Sequence, residues 1–240
     1  MIKKLSCAMA GAWLMLSLTA CSLGQGIQIL DQDKIVLLQS EEMVVGEDIA
    51  VVQTSQGSFT MRFFPSEAPK TVENFIELAQ TGYFDGQMVS SVEKIEQGDR
   101  LKGRMIAGNG KPAEESGECI FEEPIKPEIS YNLGTIPGAV VAYAPDGVVD
   151  SRFYIVGSRK VNKEEIEEIT ENNYPKQMVE LFEEQGGYPE EWLHQSVFAQ
   201  VIEGMDVVDS IICQTPNTEK GQTTDIEIIS VTIEKYQPQS

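Results

Sequence analysis

The stretch that most narrows the choice of fold is TSQGSFTMRFFPSEAPKTVENFIELAQTGYFDG, residues 54–86. Apolar positions alternate over Asp48 to Val52 and again over Ser58 to Phe64, and Gln56-Gly57 supplies the turn between them, so this part reads as a β-hairpin. The period then changes from 2 to 3.6. Val72, Phe75, Ile76 and Ala79 fall at i, i+3, i+4 and i+7, which puts them on one stripe of a helix. Pro69 suits the first turn of that helix, and Gly82 sits where a C-cap needs positive φ.

Beyond Asp99 the chain is a series of short β-like pieces separated by turn dipeptides: Asn109-Gly110, Pro137-Gly138 and Asp146-Gly147. Arg152-Phe153-Tyr154-Ile155-Val156 is a strong strand signal. Residues 163–184 differ in kind. They read as two acidic helices broken at Tyr174-Pro175 and stopped at Gly186-Gly187, with Ile166 and Ile169, then Met178, Leu181 and Phe182, as their apolar faces. This is a helical insert, about 160–187, in a β-rich domain; its charge run suits a solvated face, with a docking surface as the second reading. Val197 to Ile211 and Ile226 to Lys235 return to strand, helix turn and strand.

The first residues belong to export. Met1-Ile2-Lys3-Lys4 is a short positive segment, and Leu5 to Leu18 is apolar but too short and wrongly flanked to span a membrane. It ends in Leu18-Thr19-Ala20-Cys21-Ser22, which resembles the bacterial lipobox, in which the cysteine becomes the lipid-bearing N-terminus. The alternative is an ordinary signal cut near Ala20. The expected division is a lipoprotein signal over 1–20, a lipidated tether over 21–46 with a strand or packed turn at Ile35-Val36-Leu37-Leu38, and one domain over 47–240. The protein is therefore expected outside the cytoplasm, anchored to the bacterial cell membrane through Cys21.

Charge excludes one class of partner. The chain has 18 basic and 38 acidic residues; with Lys3 and Lys4 removed, 16 basic residues face 38 acidic ones, a net of −22. Such a surface repels phosphate backbones, so no nucleic-acid partner is expected. His194 is the single histidine, and no cysteine pair has ligand spacing, so neither a metal nor another cofactor is expected. Cys119 and Cys213 remain in the mature chain, to pair or to be buried as thiols.

Residues 54–86 resemble the opening of a cyclophilin-type peptidyl-prolyl cis-trans isomerase: a glycine between two strands, an Ala-Pro-Lys-Thr-Val-x-Asn-Phe helix start, and a Gly-Tyr-aromatic-Asp-Gly turn. PGAVVAYA (137–144), DSRFYIV (150–156) and VFAQVIEGMDVVDSI (197–211) are similar to later blocks of the family, and the insert resembles that of its bacterial lipoprotein branch. The resemblance covers about residues 48–236. It implies a mainly β fold, a closed eight-stranded antiparallel barrel with capping helices, and prolyl isomerisation of peptides or unfolded exported proteins.

The family's site residues match this chain unevenly. The family follows its turn with Phe-His-Arg-Val, a loop, and Phe-Met-x-Gln-Gly-Gly-Asp. Here Val89-Ser90-Ser91-Val92 places Ser91 at the catalytic arginine, and Ile95 and Gln97 match the pocket methionine and glutamine after a shortened loop. Tyr143 and Ala144 fall on the Ala-Asn-Ala segment, Arg152 replaces a glutamine, and Tyr154 replaces the pocket phenylalanine. Trp192-Leu193 matches a Trp-Leu pair, and Gln195 falls on the pocket histidine. The resemblance thus implies a groove lined by Ile95, Gln97, Tyr143, Ala144, Tyr154, Trp192, Leu193 and Gln195. Arg152 is the candidate substitute for the arginine missing at Ser91, and activity is expected to be reduced. The alternative function is a lipoprotein that binds proline peptides or proteins without catalysis.

Overall fold

The computed structural model describes residues 34–89, 91–97, 100–108, 117–144, 146–213 and 225–238, with backbone alone for 91–97 and 100–102. Its strands are β1 (Asp48–Thr54), β2 (Gly57–Phe63), β3 (Gln87–Met88), β4 (Ser91–Gln97), β5 (Arg100–Ala107), β6 (Ala139–Ala142), β7 (Phe153–Val156), β8 (Val197–Glu203) and β9 (Glu227–Lys235). Its α-helices are α1 (Pro69–Gln80), α2 (Lys163–Glu171), α3 (Lys176–Gln185) and α4 (Met205–Ile212).

All the strand pairings are antiparallel, in the order β3-β9-β1-β2-β8-β6-β7-β5-β4. The two ends of this order, β3 and β4, are separated in the chain by Val89 and Ser90 alone. The chain therefore draws the ends of the sheet together, and the result is a nearly closed eight-stranded barrel in which β3 and β4 share one strand's place. Closure removes open edges, which suits a chain built of short strands.

The expected hairpin forms with Thr54 opposite Gly57. Alternation in β2 sends Phe59, Met61 and Phe63 into the barrel, where Phe75 of α1 is the aromatic hub: its ring lies 4.8 Å from Phe84, 5.6 Å from Phe63 and Phe153, and 5.7 Å from Phe198. Helix α1 buries Val72, Phe75 and Ala79 of the expected stripe, with Ile76 partly covered. Gly82 follows it at φ 74°. Its N-terminus has no local side-chain cap. Glu128 takes that role from 57 residues away, accepting from the Thr71 N–H at 2.9 Å and the Thr71 hydroxyl at 2.8 Å.

The outer face of the barrel carries a second apolar layer, with Ile106, Leu133, Val141, Tyr154, Val156, Tyr188 and Val197. The insert packs a third cluster around Ile169, Met178, Leu181, Phe182 and Trp192. Residues 35–41, read from sequence within the tether, belong to this folded body. Leu38 to Ser40 form a turn of 3-10 helix rather than a strand, Ile35 and Leu37 pack on the insert cluster, and Leu38 packs on the outer layer. Gln39 fixes the segment by bonds to Gly134 and to Gln200. Of the two expectations for Ile35-Val36-Leu37-Leu38, the packed turn is the one found, and it joins the folded body rather than the tether. Cys119 is partly buried and Cys213 exposed, both as free thiols, so neither expected arrangement of the pair is found. Cys21 lies outside the described residues.

Candidate active site

A single row of cross-strand partners crosses the outer face: Ser91 on β4, Ile106 on β5, Tyr154 on β7, Val141 on β6 and Val197 on β8. The next row holds Glu93, Arg104 and Val156. The period of 2 along each strand puts these rows on one face, about 7 Å apart. Ser91, the position matched to the family's arginine, is thus aligned with Tyr154, the position matched to its pocket phenylalanine.

The cation at this point of the face is Arg104, which the sequence reading did not single out. Its guanidinium lies 4.7 Å from the centre of the Tyr154 ring and 5.6 Å from that of Tyr188. Glu191 holds it by an ion pair, and the second oxygen of Glu191 accepts from the Tyr154 hydroxyl at 3.2 Å. Glu191 thereby orients both the charge and the ring beneath it. The Arg104 side chain keeps 17% of its surface exposed. The signal that could have found it is the run Arg104-Met105-Ile106-Ala107-Gly108. It is the strand beside β7, and its Met-x-Ala-Gly resembles the family's Met-x-Gln-Gly more closely in place than Ile95 to Gly98 does.

The same observation moves Ile95 and Gln97. They pair with Lys102 and Arg100 near the tip of the β4–β5 hairpin. Lys102 lies four residues from Ile106, so Ile95 stands about 13 Å along the strand from the Tyr154 row. The structure does not bring these two positions to Tyr154, because the chain makes a continuous hairpin here rather than a short strand and a shortened loop.

Tyr188 occupies the space between the outer face and the insert. The Gly103 N–H donates to its hydroxyl at 2.6 Å. Burial pushes its pKa up, against the Gly103 contact and the Arg159 and Arg104 charges, which pull it down. Trp192 is 1% exposed and packs in the insert core against Tyr174, ring centres 5.1 Å apart. Tyr154 is 2% exposed. The two lie on the same side of the barrel, joined through Glu191, but they are buried side chains rather than the walls of an open groove. The insert covers Trp192 with its apolar faces, whereas Tyr154 is buried in the outer layer with Tyr188. Leu193, at φ 65°, also packs on the insert cluster, and Gln195 is partly buried beyond it.

Arg152 and Tyr143 lie in the row on the other side of Tyr154 from Arg104. The Tyr143 N–H donates to the Arg152 carbonyl at 2.9 Å, and the Arg152 guanidinium is 5.7 Å from the Tyr143 ring. Ala144 follows, partly buried. Asp150 grips Arg152 at 2.7 Å from its Nη2 and at 2.9 Å and 3.0 Å from its Nε, and this bonding raises the arginine pKa further against the effect of burial. Two guanidiniums therefore flank Tyr154, each held by a carboxylate: Arg104, over the Tyr154 ring, by Glu191, and Arg152, beside the Tyr143 ring, by Asp150.

Comparison with known proteins agrees with this architecture. The profile described as "Cyclophilin type peptidyl-prolyl cis-trans isomerase/CLD" matches residues 49–233. A Staphylococcus aureus protein named "Putative peptidyl-prolyl cis-trans isomerase" is 30% identical over 200 residues, spanning 82% of this chain and 96% of its own. A Staphylococcus epidermidis protein of the same name matches to the same extent. Among solved structures, a Cryptosporidium parvum cyclophilin type peptidyl-prolyl cis-trans isomerase, crystallised in the presence of the dipeptide Ala-Pro, superposes with a TM-score of 0.55 at 17% identity, covering 78% of this chain and 98% of its own. At that identity the likeness is one of fold.

Proposed function

The chain belongs to the cyclophilin-type peptidyl-prolyl cis-trans isomerase family, and from that premise we propose that it isomerises X-Pro bonds of exported proteins at the outer surface of the cell membrane, using Arg104 in place of the arginine absent at Ser91. Turning such a bond crosses a barrier of about 18–20 kcal/mol and takes tens of seconds unaided. No covalent step is required. At the top of the barrier the amide loses its conjugation, and its nitrogen becomes a better acceptor of a hydrogen bond. A charged donor fixed beside an apolar wall stabilises that state, and one preorganised donor is worth a factor of about 10²–10³ in rate.

The observation that carries the assignment is the position of the Arg104 guanidinium, 4.7 Å over Tyr154 on the face that also holds Ser91. Glu191 supplies the orientation and leaves the cation partly exposed. The tight cover over Tyr154 supports a rate below that of a relative with an open pocket. The Cryptosporidium structure, determined in the presence of Ala-Pro, supports a proline peptide as the ligand class. Export and anchoring rest on the signal segment and the lipobox-like Cys21.

The test is a protease-coupled isomerisation assay on lipid-free protein from Ser22 onward. Arg104→Gln is expected to lower the catalysed rate by about 10²–10³, the worth of one such donor. Arg152→Gln is expected to change it little. The reverse pattern would assign the charge to Arg152. Burial of Tyr154 and Trp192 favours a second reading, a non-catalytic binding lipoprotein on this scaffold. That reading holds if wild type matches the uncatalysed rate while a proline peptide still binds.

A further inference from the structure

A guanidinium works as a fixed donor only while its long side chain is held, because displacement by more than about 0.5 Å forfeits preorganisation. Two of the groups that hold Arg104 come from one short stretch, the exit of the insert. The chain leaves α3 through Gly186 and Gly187 and makes one turn of 3-10 helix over Pro189–Glu191. Glu191, at the end of that turn, pairs with Arg104. Tyr188, just before it, sets its ring 5.6 Å from the same guanidinium.

Tyr188 is fixed at both of its ends. Its hydroxyl takes the Gly103 N–H at 2.6 Å, which sets the β5 backbone immediately before Arg104. Its own backbone is tied to Thr135: the Tyr188 N–H donates to the Thr135 carbonyl at 2.9 Å, and the Thr135 hydroxyl donates to the Tyr188 carbonyl at 2.6 Å. Arg159 donates to the Gly187 carbonyl, one residue earlier, and its guanidinium lies 5.1 Å from the centre of the Tyr188 ring. The ring thus carries two cations, and each has a carboxylate of its own, Glu191 for Arg104 and Glu165 for Arg159. With each charge paired, attraction to the ring face acts on both. The Tyr188 side chain is fully buried, so it has no room to swing aside. It is a strut from the insert to β5.

We propose that Tyr188 is a positioning residue for the reaction: its hydroxyl sets the β5 backbone at Gly103, and its ring, with that of Tyr154, holds the Arg104 guanidinium in place. The insert then serves catalysis by fixing the cation that stands in for the arginine absent at Ser91. This rests on the isomerase reading of Arg104.

The test is a double-mutant cycle on the purified full chain, read as kcat and KM for an X-Pro peptide, together with the NMR order parameter of the Arg104 Nε–Hε bond. Tyr188→Leu is expected to lower kcat about tenfold or more with KM nearly unchanged, the mark of an interaction used only in the transition state. It is expected to drop the Arg104 order parameter below about 0.6, the flexible range, while that of Arg152 stays as it is. Added to Arg104→Gln, it is expected to cost no further rate, because it acts through that cation alone. Tyr188→Phe keeps the ring and loses the hydroxyl. It is expected to lower kcat about threefold, again with nothing added to Arg104→Gln, and it carries the cycle if Tyr188→Leu fails to fold. A further loss of rate when either change is added to Arg104→Gln overturns the proposal. An Arg104 order parameter unmoved by Tyr188→Leu, beside a slowed Arg104→Gln, overturns it alone. Arg104→Gln at the wild-type rate defeats the isomerase reading of Arg104, and this proposal with it.

Discussion

Glu191 faces two ways at once, and the chemistry assigned to this face depends on it. One oxygen pairs with Arg104 and the other takes the Tyr154 hydroxyl. Glu191→Gln keeps the shape and weakens the pair, so it is expected to lower the isomerisation rate while leaving the fold intact, as circular dichroism would check. Tyr188 makes a separate prediction. Its hydroxyl receives the buried Gly103 N–H, so Tyr188→Phe leaves that donor unsatisfied and is expected to cost about 1–3 kcal/mol in urea unfolding. Burial raises the pKa values of Tyr83, Tyr174 and Tyr188 above the usual 10.0. A raised folded value favours the neutral form in the folded state. The associated stability is complete below pH 10 and is lost as pH climbs through the folded values. Absorbance at 295 nm is expected to show these three tyrosines ionising late, with unfolding as they do; a single early step for all seven tyrosines would contradict the burial.

At the scale of elements, the insert is held by its two ends. Arg159 grips Glu165 through two bonds of 2.5 Å and 2.6 Å and reaches the Gly187 carbonyl at 2.6 Å, which ties the entry of the insert to its exit. Glu165 also closes a capping box with Asn162 at the start of α2. Both side chains of the pair are at most 6% exposed. Removing one partner leaves the other charge buried, so Arg159→Met is expected to cost about 3–5 kcal/mol. The double change Arg159→Met with Glu165→Leu is expected to recover most of that, because no bare charge remains. Hydrogen exchange over α2 and α3 reads the local effect. Gly186 is a stricter point: at φ 88°, a Cβ there would stand 1.8 Å from the Arg159 carbonyl oxygen. Gly186→Ala is therefore expected to open the clamp, whereas the exposed pairs Lys163–Glu167 and Lys176–Glu180 can be deleted for less than about 1 kcal/mol.

For the whole molecule, the barrel, the insert and the segment from Ile35 form one packed body, and Cys21, the proposed anchor, lies before it in sequence. Cys21→Ser is expected to release the protein or leave it unprocessed, and fractionation with lipid labelling measures this. Wild type found soluble and without lipid would defeat the proposed location. If the proposed processing and anchoring hold, a body with a net charge of −22 would be held off anionic lipid by repulsion on its tether.

The sequence by itself determined the elements whose forces are local. The hairpin of β1 and β2, the stripe of α1, the break at Tyr174-Pro175 and the stop at Gly186-Gly187 follow from period, proline and glycine, and each is found within about two residues. It also determined the family, because the blocks recur in order. Tertiary structure alone decided the face. Glu128 caps α1 from another part of the chain, and Glu191 selects Arg104 from a distance of 87 residues. Linear spacing carries no trace of either pairing. Matching by motif placed Ile95 and Gln97 in the groove, since a hairpin and a shortened loop look alike in one dimension. The register of β4 against β5 separates them, and a strand's register is fixed by its neighbours and by burial on one face. Burial likewise decided Trp192: its partners Met178 and Phe182 come from the insert, and only the folded chain brings them to it.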